Sequence, residues 1–268
     1  MIRQRVLSAL VLIVVIFIAV WFGGPFYYLI LALAAALGAL EFFGILGLSY
    51  RHPLTVFGLL CVLLLIVGAH YKEPETFEDP YTAPILAGAV VFSLIWLLSR
   101  RAGHILVNWV WTLAGIIYIG WMLSHFIPLR ALDDGREWVL FLLFATFATD
   151  TAAFFCGRAW GKRSLAPAIS PGKTWEGAIG GFLAAIAASL VLATILNLPI
   201  PYWQVTILGI LIGIFAQLGD LSESLLKRSA GVKEAGTLIP GHGGILDRLD
   251  SIVFTVVVVY YYVIWVVI

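Results

Sequence analysis

The chain begins MIRQRVLSALVLIVVIFIAVWF, Met1 to Phe22. A basic opening, with Arg3 and Arg5, leads into an unbroken apolar run. Such a start is either a cleavable secretory leader or a first membrane span. Here the run continues to Phe22 and meets Gly23, Gly24 and Pro25 without a small-x-small cleavage site, so it reads as a span that the protein keeps. About 20 apolar residues are enough, because a helix rises ~1.5 Å per residue across a hydrocarbon core about 30 Å thick.

The same pattern recurs along the chain. Of its 268 residues, 62% are hydrophobic and 12% charged, where soluble domains carry about 25% charge. Most of the surface must therefore face lipid. The apolar runs are too long and too uniform for barrel strands, which leaves helices. Spans are expected at 6–22, 26–48, 54–70, 83–99, 104–128, 138–156, 175–197, 202–219 and 251–268. The expected fold is all-α, a polytopic integral membrane bundle of about nine transmembrane helices. Residues 1–137 form its N-terminal spans and 138–268 a C-terminal region with the chemistry-bearing segments. The fifth span is the least regular, with Asn108, His125 and Pro128 inside it. The seventh, with Gly177, Gly180, Gly181, Ala184 and Ala185, suits close helix packing.

An odd number of spans puts the termini on opposite sides. With the N-terminus in the cytoplasm and the C-terminus outside, only Lys72, Arg130 and Arg136 fall outside, and every other Lys and Arg is cytoplasmic. The outer loops are acidic instead, as in KEPETFEDP, Lys72 to Pro80. This asymmetry places two long polar segments, 157–174 and 220–250, on the cytoplasmic side. A net charge of +1 points to no polyanion and no nucleic acid as partner. Cys61 and Cys156 are too isolated for a disulfide framework or a thiolate metal site.

The polar segments hold the candidate chemistry. Asp150 lies inside a span, where a carboxylate is costly and usually faces a bundle interior or a wet cavity; its plainer reading is pairing with a nearby Arg or backbone group. Within ISPGKTWEGAIGG, Ile169 to Gly181, Gly172-Lys173-Thr174 looks like the end of a phosphate-binding P-loop, but that pattern needs a glycine where Pro167 stands. What survives is Ser170, Lys173 and Thr174 at a helix start, suited to a phosphate or simply to N-capping. Further on, Asp220, Glu223, Ser224 and Lys227 follow i, i+3, i+4, i+7 and share one helix face, with a plain amphipathic interfacial helix as the alternative. Asp247 and Asp250 are i, i+3 at the start of the last span. Two such carboxylates with Asp220 suit Mg2+, although negative charge at a helix N-terminus also needs no metal. The surrounding Gly-rich turn and cations favour a metal-bound polyphosphate. His242 alone cannot choose between acid/base, ligand and donor roles.

The run SLLKRSAGVKEAGTLIPGHGGILDRLD, Ser224 to Asp250, resembles the signature of the CdsA-type phosphatidate cytidylyltransferases, the CDP-diacylglycerol synthases. The pieces are Ser-x-x-Lys-Arg, a later Lys, Pro-x-His-Gly-Gly and Asp-Arg-x-Asp, in order. The Asp150 segment and ISPGKTWEGAIGG are also similar to that family. The family has Asp after the second Lys, where this chain has Glu234, one methylene longer. The resemblance implies a phospholipid-biosynthesis enzyme of the plasma (inner) membrane, with its site on the cytoplasmic side. It would transfer CMP from CTP to phosphatidate, giving CDP-diacylglycerol and pyrophosphate. It further implies Mg2+, with a second cation left open, on Asp220, Asp247 and Asp250. Lys227 and His242 join those aspartates as catalytic residues. Ser170, Lys173, Thr174, Ser224, Lys233, Arg228, Gly243, Gly244 and Arg248 are expected to bind substrate, with Asp150 in support. Membrane lipids surround the bundle, and a homodimer suits it. Two other readings stand beside this one. A CTP-dependent polyprenol or phytol kinase would release CDP, and a transporter would use intramembrane Glu41 and Asp150.

Overall fold

The computed structural model describes residues 2–71, 79–99, 105–238 and 243–268. Among the described residues, seven helices are long and apolar enough to cross a membrane: Gly24–Ile45, Pro53–Tyr71, Leu106–Ala131, Gly135–Trp160, Trp175–Ile195, Tyr202–Ser229 and Leu246–Val267. Leu10–Phe22 and Thr82–Leu98 are shorter apolar helices. The helical expectation holds. The chain divides into two compact units, one of residues 1–131 with 234–247, the other of 132–233 with 248–268.

The first unit contains α1 (Ile2–Phe22), α2 (Gly24–Ile45), α3 (Pro53–Gly68), α4 (Thr82–Leu98), α5 (Ile105–Gly115), α6 (Met122–Ser124) and α7 (Phe126–Ala131). Gly23 alone separates α1 from α2, at φ 64°, a backbone state that a side chain would resist. The Arg130 side chain closes over this break, its Nε donating to the Val20 carbonyl at 3.1 Å. Cys61, Leu65, Ala89 and Ile116 form a buried cluster shared by α3, α4 and the segment after α5. The expected irregularity of the fifth span is present. A π-helical stretch, Ile116–Trp121, follows α5, and α6 and α7 break at His125. There His125 Nδ1 lies 2.9 Å from the Trp121 carbonyl, and Pro128 has no N–H to offer the carbonyl a turn behind it.

The second unit contains α8 (Gly135–Trp160), a hairpin of β1 (Ser164–Ala166) and β2 (Ser170–Thr174), α9 (Trp175–Ile195), α10 (Tyr202–Ser229) and most of α11 (Leu246–Tyr262), which continues as a π-helical turn, Val263–Val267. In α9 the residues at every fourth position, Gly177, Gly181, Ala185, Ser189 and Ala193, are buried, while Ile179, Leu183, Val191 and Ile195 are exposed. Small residues let backbones approach, and large ones face outward, as packing without a hydrophobic drive between helices requires. A methyl group on Gly177 would lie 2.7 Å from the Ala153 carbonyl oxygen of α8, and one on Gly209 of α10 would lie 2.8 Å from Ile186 Cα of α9. Two polar rungs join α8 to α11: Thr146 Oγ1 donates to Thr255 Oγ1 at 3.1 Å, and Ser251 Oγ to Asp150 at 3.2 Å.

Three features differ from the sequence expectation. The eighth span does not stop at 219: with neither Pro nor a glycine pair to break it, α10 runs on to Ser229, so Asp220–Lys227 extends the spanning helix and is not a separate interfacial one. The last helix begins at Leu246, which brings both Asp247 and Asp250 inside it. The segment between α8 and α9 holds an antiparallel hairpin pairing Ser164 with Thr174 and Ala166 with Ser170. Ser170 is therefore a strand residue, and Thr174 alone caps α9, its Oγ1 accepting from Gly177 N at 3.1 Å.

Candidate active site

In the second unit, α8, β2 and α10 enclose a cavity of about 410 Å³ lined by Asp150, Arg158, Lys173, Thr174, Gln217 and Asp220, among others. Asp220 comes from the polar end of α10 and Lys173 from β2, and the two meet at 2.7 Å. The hairpin makes that meeting possible, because it returns the chain towards α9 with Lys173 one residue before the cap. Glu176, in the first turn of α9, braces the approach by accepting from the backbone N–H of Lys162 at 3.0 Å and of Arg163 at 3.3 Å.

Asp250 lies within electrostatic reach of Asp220, Glu223 and Asp150, and Asp150 within reach of Asp220, Lys173 and Arg248. The close crossing of α10 and α11 explains the grouping. Gly219 sits against the Asp250 backbone, so that a methyl group there would run into the Asp250 carbonyl oxygen. Glu223 is fully buried and pairs with Lys227 at 2.5 Å. Arg228 turns the other way, its Nε donating to the Ile169 carbonyl at 3.2 Å and its Nη1 to Val232 at 3.4 Å, which ties the end of α10 to the hairpin. Ser224 is half-buried on α10, and Lys233 and Arg248 are exposed.

In the first unit, Ala235 and Gly244 both close on the Asp247 carboxylate. Oδ2 accepts from Gly244 N at 2.8 Å and from Ala235 N at 3.1 Å. Gly243 has φ 86°, and a methyl group on it would also lie 2.7 Å from Asp247 Oδ2. The glycines at 243 and 244 thus serve both a left-handed turn and close approach to a carboxylate. Glu41 of α2, 7% exposed, accepts from Leu246 N at 2.8 Å. His242 lies outside the described residues.

The structure thus gathers Asp150, Lys173, Asp220 and Asp250 in one unit, and Gly243, Gly244 and Asp247 in the other. Four residues with clear positions at these places were absent from the sequence-derived site. Glu223 had a signal in its i, i+4 spacing to Lys227. Arg158 and Gln217 had none beyond polarity near a span end. Glu41 was conspicuous as an intramembrane carboxylate, but its partner is 205 residues away. Among the described residues, no three His, Cys, Asp or Glu side chains close into a ready-made metal cage. Mg2+ does not need one, since it is commonly held by one or two carboxylates, waters and substrate phosphates. Asp220, a hard oxygen donor on the cavity wall, and Asp250, within electrostatic reach of it, fit that mode.

Comparison with known proteins agrees with this picture. The model of the cytidylyltransferase family matches residues 3–266. The phosphatidate cytidylyltransferase of Bacillus subtilis (strain 168) is 34% identical over 269 residues, covering 97% of this chain and 96% of that protein. That of Staphylococcus epidermidis is 34% identical over 256 residues, covering 94% and 95%. That of Brucella suis is 39% identical over 181 residues, covering 66% and 67%. This chain belongs to the cytidylyltransferase family.

Proposed function

We propose that this protein is a phosphatidate cytidylyltransferase, transferring CMP from CTP to phosphatidate to give CDP-diacylglycerol and pyrophosphate. The observation that carries the reading is the 34% identity to the Bacillus subtilis enzyme of that name over 97% of the chain. The geometry supports it: acidic and basic side chains meet around a cavity at the polar ends of helices otherwise built for lipid.

In this reaction a phosphate oxygen of phosphatidate attacks the α-phosphorus of CTP. The bond from that phosphorus to the β-phosphate oxygen breaks, and pyrophosphate leaves with the electron pair. The nucleophile is already an anion, so no strong base is required. The obstacle is bringing two polyanions together. Lys173, with Arg158 on the same cavity wall, holds phosphate oxygens; Lys227, Arg228 and Arg248 supply further positive charge along α10 and α11. Asp220 and Asp250 would hold Mg2+, with Asp247 on the same helix as Asp250 joining them and Asp150 supporting from α8. When bound, Mg2+ offsets phosphate charge and polarises the phosphorus–oxygen bond. Gly243 and Gly244 let the backbone close on Asp247 and orient it, and His242 and Ser170 would contact phosphate.

The orientation belongs to the same proposal. The shorter helices Leu10–Phe22 and Thr82–Leu98 cross with the other seven, the N-terminus is cytoplasmic, and both polar segments face the cytoplasm of the plasma membrane, where CTP is found. Separately labelled CTP tests the function. With purified protein, phosphatidate and Mg2+, α-phosphate label should enter the lipid and γ-phosphate label should leave in pyrophosphate. Entry of γ-label into a lipid would replace the reading with a CTP-dependent kinase.

A further inference from the structure

Glu41 is a buried carboxylate near the C-terminal end of the apolar helix α2, far in sequence from every signature residue, and it is costly to keep there. Its surroundings show what it does. Oε2 accepts from Leu246 N at 2.8 Å, the first residue of α11 and one of the N–H groups that a helix start leaves without an internal partner. Two glycines also lie against the same carboxylate. A methyl group on Gly236 would run into Glu41 Oε1, and one on Gly244 into Oε2. Gly236 and Gly244 therefore both close on Glu41, and a side chain at either would displace its carboxylate. The residue after Leu246 is Asp247, whose carboxylate gathers the Gly244 and Ala235 amides of the same segment.

We infer that Glu41 is a positioning residue for the cytidylyl-transfer site: a carboxylate from α2 that caps α11 from a distance and so fixes the backbone at Leu246 and the aim of Asp247. The inference rests on the proposed cytidylyltransferase activity for its kinetic consequence, but not for its structural one. Negative charge at a helix start also suits the helix dipole. Asp, one methylene shorter, would draw the carboxylate back from Leu246 N, 2.8 Å from Oε2 of the glutamate. Gln keeps one acceptor oxygen for Leu246 N, losing the charge and exchanging the other oxygen for an NH2 donor.

The test uses full-length Glu41→Ala, Glu41→Asp and Glu41→Gln proteins in detergent, with two readouts. The first is amide hydrogen exchange across the chain. The proposal expects faster exchange in Glu41→Ala confined to residues 243–250 and 235–238, with α3 and α5 protected as in wild type. The second is steady-state transfer. Glu41→Ala and Glu41→Asp should lose about tenfold or more in kcat, with KM for CTP changed by less than about threefold, while Glu41→Gln recovers most of the rate. Unchanged exchange at 243–250 overturns the proposal, as does exchange raised throughout the bundle, which would make Glu41 a support of the whole fold. A wild-type kcat in Glu41→Ala overturns it too. If the wild-type protein transfers no CMP, the proposed function fails, and the exchange arm still decides whether Glu41 holds this segment.

Discussion

Lys173 and Asp220 meet at 2.7 Å with 24% and 34% of their side chains exposed. Those are half-buried side chains, and the Lys173 ammonium itself is shielded from water. The pair therefore faces the cavity and not bulk solvent, and a phosphate oxygen entering the cavity would take the place of the carboxylate. Lys173→Ala leaves Asp220 without that partner, so it should lose about 1–3 kcal/mol of stability and about a hundredfold in kcat/KM, the scale seen when one preorganised hydrogen-bonding group is removed from a transition state. Thermal unfolding and CTP-dependent transfer, measured on the same preparation, separate the two effects. Full activity with a marked loss of stability would make the lysine a structural partner of Asp220 and nothing more.

At the scale of elements, the crossing of α10 and α11 at Gly219 and Asp250 sets the spacing of the carboxylates. Alanine at 219 would improve intrinsic helix propensity by about 1 kcal/mol, but its methyl group meets the Asp250 carbonyl oxygen, and overpacking costs about 1–3 kcal/mol. The two nearly cancel in stability. They do not cancel in geometry, since the helices must part beside Asp220, and a shift of about 1 Å can cost a hundredfold in rate. Gly219→Ala should thus remain folded and lose about that much turnover, whereas Gly44→Ala, with open space around the added methyl group, should keep wild-type turnover. Equal activity in the two variants would show that the crossing does not set the site. The helices themselves were legible in the sequence because apolar run length is a local property, and so was the small-residue stripe of α9. The reach of α10 to Ser229 and the hairpin at 164–174 were less so, because the polar residues there satisfy loop and helix patterns alike and only packing chooses. The cluster was half legible. Asp150, Lys173, Asp220 and Asp250 announce themselves by charge beside apolar runs, but Lys173 meeting Asp220, or Leu246 meeting Glu41, depends on tertiary contacts that no spacing rule encodes.

Over the whole molecule, the distribution of cations carries more information than their number. A net charge of +1 says little, yet in the proposed nine-span arrangement Lys and Arg are concentrated in the segments between alternate spans, the asymmetry that orients membrane proteins with their basic loops in the cytoplasm. The proposed orientation requires α8, Gly135–Trp160, to carry the chain from outside to inside. Its two flanks offer a direct check, because Asp133 and Lys162 are both exposed. In a background with Cys61 and Cys156 replaced by Ser, Asp133→Cys in intact cells should react with a membrane-impermeant maleimide, and Lys162→Cys should react only after the membrane is opened. The reverse result would invert the protein and put the carboxylate cavity on the side away from CTP. Labelling of both from one side would remove α8 as a span. Labelling as expected would place the polar end of α8, with Arg158 and the hairpin beside it, where a soluble nucleotide can meet a lipid phosphate held at the bilayer surface.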